Sequence, residues 1–253
     1  MVILGAGNVS THFSRHFYSC GHTISTIYSR TLSNAESLAA EVGAVGTDRL
    51  EEIPLGSDFY LVCLPDAEVP RMGHLLQERE GIWLHTAGAV PMDALQAAHP
   101  SCGVLYPLQS VSKERSLSMK EVPLLIEGSS TEVTAMIREL AEGMSDEVHE
   151  RSSDQRLIIH TAAVFANNFT NHMIRISEQM LAEAGESSQL IIPLLRETFG
   201  KAEAMGAAAA QTGPAIRGDS ESMRKHLEIL ERYPEWKKLY TFISQDIGRS
   251  RKD

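Results

Sequence analysis

The segment that most constrains this chain is Gly5-Ala6-Gly7-Asn8-Val9-Ser10, set between the clipped apolar run Val2–Leu4 and a helical pattern over Ser10–Ser19. Gly5 permits a tight turn and Gly7 lets a ligand approach the backbone. The helix opening at Asn8 and Val9 presents unsatisfied N–H groups and a partial positive charge. With Ser10 in the third glycine position, this is the turn that a dinucleotide fold uses to hold a pyrophosphate. On the helix itself Phe13 and Phe17 take the inward face, which sets His12 and His16 on the solvent side. Their spacing of four suits a metal ion, but no carboxylate or thiolate stands at a matching distance, so no metal site is expected.

The alternation continues downstream. Thr23–Ser29 is a β-branched strand, and Ser33–Val42 a helix with Ser33 as N-cap and Glu36 completing a capping box. Phe59–Leu64 and Ile82–Thr86 read as strands around a helical Val69–Gln77, followed by strands at Val104–Leu108 and Val122–Glu127. The pattern predicts an α/β fold: a Rossmann-type, doubly wound, mainly parallel sheet with helices on both faces. After about residue 150 the strand signals stop. Ser152 caps a helical run, with Gln155 at the capping-box position, that reaches Ala184 and ends at Gly185. At 1.5 Å per residue that run spans roughly 45 Å. Helical patterns follow at Gln189–Met205, Glu221–Glu231 and Glu235–Asp246. Residues 1–150 are therefore read as a Rossmann-like dinucleotide-binding domain, and 151–253 as an all-helical domain.

Composition narrows the partners. The 253 residues carry 23 basic against 33 acidic side chains, a net charge of −10, which argues against a binder of nucleic-acid phosphates. The basic run at 249–252 reads as a solvated tail. Cys20, Cys63 and Cys102 are odd in number and far apart, so neither a zinc ribbon nor a disulfide framework is expected. Leu157–Ala166 and Ala204–Ala210 fall well short of the roughly 18 apolar residues of a membrane span. No basic, apolar leader follows Met1. The expectation is a cytoplasmic protein without a membrane partner, with a few native residues expected before this start, which falls in mid-strand.

The end of the second strand bears on the ligand. Tyr28-Ser29-Arg30-Thr31 carries no acid to hold ribose hydroxyls. Arg30 can instead pair bidentately with a 2′-phosphate, helped by the Ser29 and Thr31 hydroxyls, which favours NADP(H) over NAD(H). Ligands of such sheets lie outside the carboxyl ends of strands. Leu64 and Pro65, then His85 and Thr86, then the tip Tyr106-Pro107-Leu108-Gln109-Ser110 should all face one crevice. His85 is a candidate proton donor or substrate ligand, with a structural histidine as the plain alternative. On the long helix His160, Val164, Asn167 and Asn171 fall in one fan at 100° per residue, opposite Ile158, Phe165 and Phe169. That stripe of uncharged polar residues reads as a wetted cleft, or as an ordinary solvated face. In Gly213–Asp219, Arg217 could hold a substrate carboxylate or simply pair with the helix-capping Asp219.

These residues together resemble the bacterial Rossmann-like proteins joined to the helical domain of unknown function 2520. Those proteins are relatives of pyrroline-5-carboxylate reductase, the deazaflavin-dependent NADP reductases and the β-hydroxyacid dehydrogenases. Gly5–Ser10, Ser29-Arg30-Thr31, Leu64-Pro65-Asp66, Tyr106-Pro107-Leu108-Gln109, Ala163–Phe169 and Thr212–Asp219 carry the resemblance. It implies an NADP(H)-binding fold, a dimerising helical domain like the C-terminal domain of 6-phosphogluconate dehydrogenase, and a cleft between domains. It implies no substrate. One departure matters. β-Hydroxyacid dehydrogenases carry a catalytic lysine just before an Asn-Asn pair; Asn167 and Asn168 are present here, but Val164 stands at the lysine position. Either His160 or His85 supplies the proton, or the chemistry is of the imine-reductase type and needs no lysine acid.

Two readings follow. In the first, the protein is an oxidoreductase that passes hydride between NADP(H) and a small carbonyl, imine or hydroxy substrate. The expected catalytic residues are then His160, His85 and Asn168, with Gln109, Asn167 and Arg217 on the substrate. In the second, it is an NADP(H)-binding sensor or scaffold without turnover, which the absent lysine permits.

Overall fold

The structure, a computed structural model, describes residues 1–115 and 117–249. The basic tail read at 249–252 lies outside them beyond Arg249. The strands are β1 (Val2–Leu4), β2 (Thr26–Tyr28), β3 (Val45–Thr47), β4 (Gly56–Val62), β5 (Glu80–His85), β6 (Cys102–Pro107), β7 (Leu124–Gly128) and β8 (Val148–Glu150). They form one sheet in the order β3-β2-β1-β4-β5-β6-β7-β8. The first six strands are parallel, and the β3-β2-β1-β4-β5-β6 core is the doubly wound order that places its switch point beside β1. β7 runs antiparallel to β6, and β8 parallel to β7.

The helices of this part are α1 (Asn8–Ser19), α2 (Leu32–Val42), α3 (Glu68–Leu75), α4 (Asp93–Gln96) and α5 (Thr131–Glu142). Each face of the sheet has its own core. Phe13 and Phe17 of α1, Leu38 of α2 and Ile137 of α5 pack on Ile3, Ile27, Leu105 and Ile126. Met72 of α3 and Leu95, beside Tyr60, Trp83 and Cys102, fill the other face. The alternation of side chains along each strand sorts these two sets, which is why near-continuous apolar runs marked the strands in the sequence.

Two local readings are corrected, and one strand had not been read. Helix α2 begins at Leu32 with Thr31 as its extended N-cap, so Ser33 lies inside the first turn. The Thr31 N–H is taken by the Ser29 hydroxyl at 3.3 Å, and this turn starts the helix early. His12 is not on the solvent side. It is 6% exposed, and its Nε2 sits 2.9 Å from the Ser112 carbonyl because the loop after β6 folds over α1. Strand β3 had no sequence signal: it is three residues long, and α2 lies so close above it that a Cβ on Gly46 would meet the Glu36 backbone at 2.6 Å.

The chain divides into two compact units, Met1–Asn168 and Phe169–Asp253. Helix α6 (Ser153–Ala163) packs within the first. Its Ser152 capping box is present as expected, with Gln155 reaching back to the Ser152 N–H. The helical run then passes through a π-helical turn, Val164–Phe169, into α7 (Thr170–Glu183). The extra residue of a π turn breaks the 100° step, so His160 and Asn171 do not share the single fan that the sequence suggested. The second unit continues with α8 (Ile192–Met205), α9 (Ala207–Ala210), α10 (Pro214–Arg217), α11 (Ser220–Ile229) and α12 (Pro234–Arg249). Asp219 caps α11 as expected, accepting from the Ser222 N–H at 3.0 Å. No helix of the described residues is long and apolar enough to cross a membrane.

Candidate functional site

The glycine turn is built as its sequence requires. Gly5 sits at φ +125°, and its N–H donates to the Tyr28 carbonyl at 2.8 Å, tying the end of β1 to β2. A Cβ there would strike the Cys63 carbonyl oxygen and touch Leu64 Cδ2 at 3.4 Å. Gly7 differs: it is the N-cap of α1, and a Cβ on it would point into open space. Its carbonyl accepts from the Thr11 N–H and from the Ser10 and Thr11 hydroxyls, so the turn is braced from within the helix. No side chain caps the N-terminus, and Asn8 is exposed. The N–H groups of this first turn thus face outward at the strand tips, the arrangement that receives a phosphate.

At the end of β2, Ser29 is half-buried while Arg30 and Thr31 are exposed. Arg30 makes no salt bridge among the described residues, and the Thr31 hydroxyl is not used to cap α2. Lys113, which the sequence did not single out, donates to the Ala6 carbonyl at 2.6 Å and adds a positive charge beside the glycine turn.

Helix α6 brings the second group of residues together. Arg156 is 1% exposed; its Nη1 donates to Glu127 at 2.5 Å and its Nη2 to the Val90 carbonyl at 2.5 Å. Ser153 donates to the same carboxylate through its hydroxyl at 2.7 Å and its N–H at 3.0 Å, and accepts from the Met92 N–H. One turn further on, His160 Nδ1 lies 2.8 Å from the Tyr106 hydroxyl, the rings nearly perpendicular. The heights agree. Four helical residues rise about 6 Å. Tyr106 stands two residues, or about 6.6 Å, beyond Val104, whose cross-strand partner is Glu127. One straight helix therefore meets Glu127 with Arg156 and Tyr106 with His160.

The His160 ring lies flat against Gly88, where a Cβ would come within 3.0 Å of three ring atoms. Its Nε2 makes no hydrogen bond and is not among the buried unpartnered atoms, so it is reached by solvent. Burial raises the Tyr106 phenol above its ordinary range; the Arg156 charge opposes this and Asp66 adds to it.

His85 is different. It is fully buried, and the Ala87 N–H donates to its Nδ1 at 3.2 Å. Burial first, and the Arg156 charge second, drive its imidazole down to about 3. A ring that stays neutral at neutral pH carries no proton to give, so the structure removes His85 as an acid. Thr86 beside it is half-buried at the tip of β5, Leu64 is half-buried and Pro65 exposed at the tip of β4.

Other expected residues are not gathered here. The Gln109 side chain folds back onto the Ser110 N–H and lines a separate recess of about 350 Å³ with His12, Ser112 and Arg115. Asn167 and Asn168 are exposed within the π turn. Arg217 lies in the second unit, 4.0 Å from Asp219. Tyr106, Gly88 and the Arg156–Glu127 pair carried no assigned role in the sequence. The signal available for the pair was an arginine in the first turns of a helix and one carboxylate ending an apolar strand.

Comparison with known proteins places this architecture. Residues 1–82 match the family described as NADP oxidoreductase coenzyme F420-dependent, and residues 122–247 match the domain of unknown function 2520. A Bacteroides fragilis protein, provisionally designated an NADP oxidoreductase, superposes with a TM-score of 0.91 at 37% identity, over 98% of this chain and 97% of that one. A reductive aminase from Aspergillus terreus, solved with NADPH and ethyl-5-oxohexanoate, shares the fold at a TM-score of 0.68 and 15% identity, over 98% and 90% of the two chains. Glutamyl-tRNA reductase from Shewanella loihica is 27% identical over 239 residues, 88% of this chain; the chain spans 54% of that protein's length.

Proposed function

We propose, from the premise that this chain belongs to the family joining an NADP oxidoreductase domain to the domain of unknown function 2520, that it is an NADP(H)-dependent oxidoreductase. Its substrate would be a small carbonyl, imine or hydroxy compound. The observation that carries the reading is the pairing of an uncovered glycine turn at β1 with a solvent-facing imidazole held beside the tip of β6. Three strand spacings of about 4.8 Å set these strands roughly 14 Å apart, across the switch point where such folds bind dinucleotides.

The residues fit the cofactor. Gly5 removes the side chain that would block the turn, Gly7 leaves its outer face open, and the N–H groups at Asn8 and Val9 can hold the bridging phosphates. Arg30, with the Ser29 and Thr31 hydroxyls, suits a 2′-phosphate. Leu64, Pro65 and Thr86 offer the surface beyond. When bound, the nicotinamide supplies or accepts the hydride. The protein supplies the proton: His160, charged, donates from Nε2 to the carbonyl oxygen or imine nitrogen as it gains electron density, and accepts it in the reverse direction. Asn167 is the residue we assign to substrate contact, and Asn168 is assigned a catalytic role. Reductive aminase, solved with NADPH, shares this fold, which supports including imines.

The second unit supports a homodimer as the working form. Among its described residues Leu230 is the one large apolar side chain that is buried. Met173, Ile176, Met180, Trp236 and Ile243 line an apolar cavity of about 500 Å³. A surface of this kind is what partner contacts cover.

NADPH oxidation against a panel of carbonyl and imine compounds tests the proposal. With an active substrate in hand, His160→Ala should lower turnover by roughly 10²- to 10⁴-fold and leave NADPH affinity unchanged. Tight NADPH binding with no turnover across the panel would favour the sensor reading.

A further inference from the structure

We propose that Tyr106 is a positioning residue for His160: its hydroxyl occupies Nδ1 and keeps the proton-bearing Nε2 turned outward, so that the imidazole acts through Nε2 alone. This rests on the oxidoreductase reading for its purpose but not for its geometry.

Three contacts fix the ring. Gly88 gives it a floor with no room for a Cβ, Tyr106 holds one nitrogen at 2.8 Å, and the buried Arg156–Glu127 pair one turn earlier prevents the helix from sliding. The Tyr106 hydroxyl has no other hydrogen-bond partner among the described residues. Its proton is therefore directed to Nδ1 of the neutral ring, which leaves the hydrogen on Nε2. When the ring is charged, the same hydroxyl turns to accept from Nδ1–H. In the resting neutral ring and in the charged ring Nε2 bears a proton and faces solvent; the ring that has just given that proton up carries its hydrogen on Nδ1, donated to the Tyr106 oxygen, until Nε2 is protonated again.

The proton balance follows. In reduction, the Nε2–H bond of the charged ring breaks and an O–H or N–H bond forms on the product; the ring is left neutral and is recharged from solvent. A neutral ring could release its Nε2 proton only by drawing one from Tyr106, and a tyrosinate is disfavoured by burial and by Asp66. The charged groups around the ring are then accounted for. Asp66 acts on Tyr106 from the loop after β4, Arg156 is paired with Glu127 on β7, and His85 at the end of β5 stays neutral.

Nitrogen-15 NMR of histidine-labelled full-length protein reads this without any substrate, the His160 signals being assigned by their loss in His160→Gln. Wild-type protein should show a protonated Nε2 and an Nδ1 displaced from the value of an unbonded ring nitrogen. Tyr106→Phe should return Nδ1 to that value. Gly88→Ala, which pushes the ring off its floor, should do the same by a different route. A wild-type ring protonated on Nδ1, or an Nδ1 signal unmoved in both variants, would overturn the proposal. In turnover, Tyr106→Phe should lower kcat by roughly 10- to 100-fold with NADPH affinity unchanged. Absent turnover with the expected ring signals would defeat the oxidoreductase reading alone; unmoved signals in an active protein would defeat the positioning role alone.

Discussion

A Cβ on Gly5 would lie 2.3 Å from the carbonyl oxygen of Cys63, so the glycine turn and the end of β4 approach more closely than any side chain allows. The backbone there is also at φ +125°, a region costing a non-glycine residue about 1–3 kcal/mol. Gly5→Ala should lower the unfolding free energy by at least that amount and weaken nucleotide binding with it. Gly7→Ala should separate the two effects. Its Cβ has open space and an ordinary φ of −89°, so Tm should hardly change while NADP⁺ affinity falls. Equal losses of Tm in the two variants would contradict this division of labour.

Arg156 and Glu127 form a pair with one member almost wholly out of solvent. Removing one partner of a buried pair typically costs about 3–5 kcal/mol; with Glu127 19% exposed, the lower end applies. Arg156→Met should shift the urea midpoint down accordingly. A change below about 1 kcal/mol would show that the pair is not an anchor.

His85 gives the fold an acid limit. Its folded value of about 3 lies below the ordinary imidazole value of 6.5, so the unfolded chain binds more protons between those pH values. Stability should therefore be full above about pH 6.5 and fall as pH drops toward 3. At 1.4 kcal/mol per pH unit, this one group removes about 2 kcal/mol between pH 6.5 and 5. Denaturant titrations at pH 7 and pH 5 check it: His85→Gln should show a smaller loss than wild type between the two.

Arg30 is expected to set cofactor preference. A charge-assisted bidentate contact is worth about 1.5–3 kcal/mol, or roughly 10- to 150-fold in affinity. Calorimetric titration should find NADP⁺ bound more tightly than NAD⁺ by such a factor, and the difference lost in Arg30→Ala. Equal affinities in wild-type protein would sink the assignment.

Light scattering should return twice the chain mass at micromolar concentration. Phe242 and Leu194 are 68% and 64% exposed in the single chain, and charged substitutions there should yield monomer. A monomer mass for the unaltered protein would refute the dimer.

The sequence showed what is written in neighbouring residues. The glycine turn, the strand–helix alternation, the Ser152 capping box and the Asp219 cap are all local, and they stand where they were read, the start of α2 and the unread β3 apart. What it hid is non-local. Tyr106 and His160 are 54 positions apart, Arg156 and Glu127 29, His12 and Ser112 100. The burial of His12 depends on where an irregular loop comes to rest, which periodicity cannot show. The π turn escaped because one added residue leaves an apolar pattern looking helical while it rotates everything after it. His85 stayed open between a proton donor and a structural histidine because its sequence neighbours do not reveal that both faces of its strand are covered.

The reversal of β7 and β8 has a further consequence. Had they run with β1–β6, the chain would leave β8 at the strand tips and its next helix would have to descend. Because they are inverted, α6 starts low, is secured at Arg156 and climbs to the tips with His160 at a height counted from that foothold. Upstream loops, including 108–123 and the connections around α5, can then change length between homologues without moving the imidazole. A substitution at the foothold cannot, and the position of the proton is inherited from a salt bridge a full helical turn away from it.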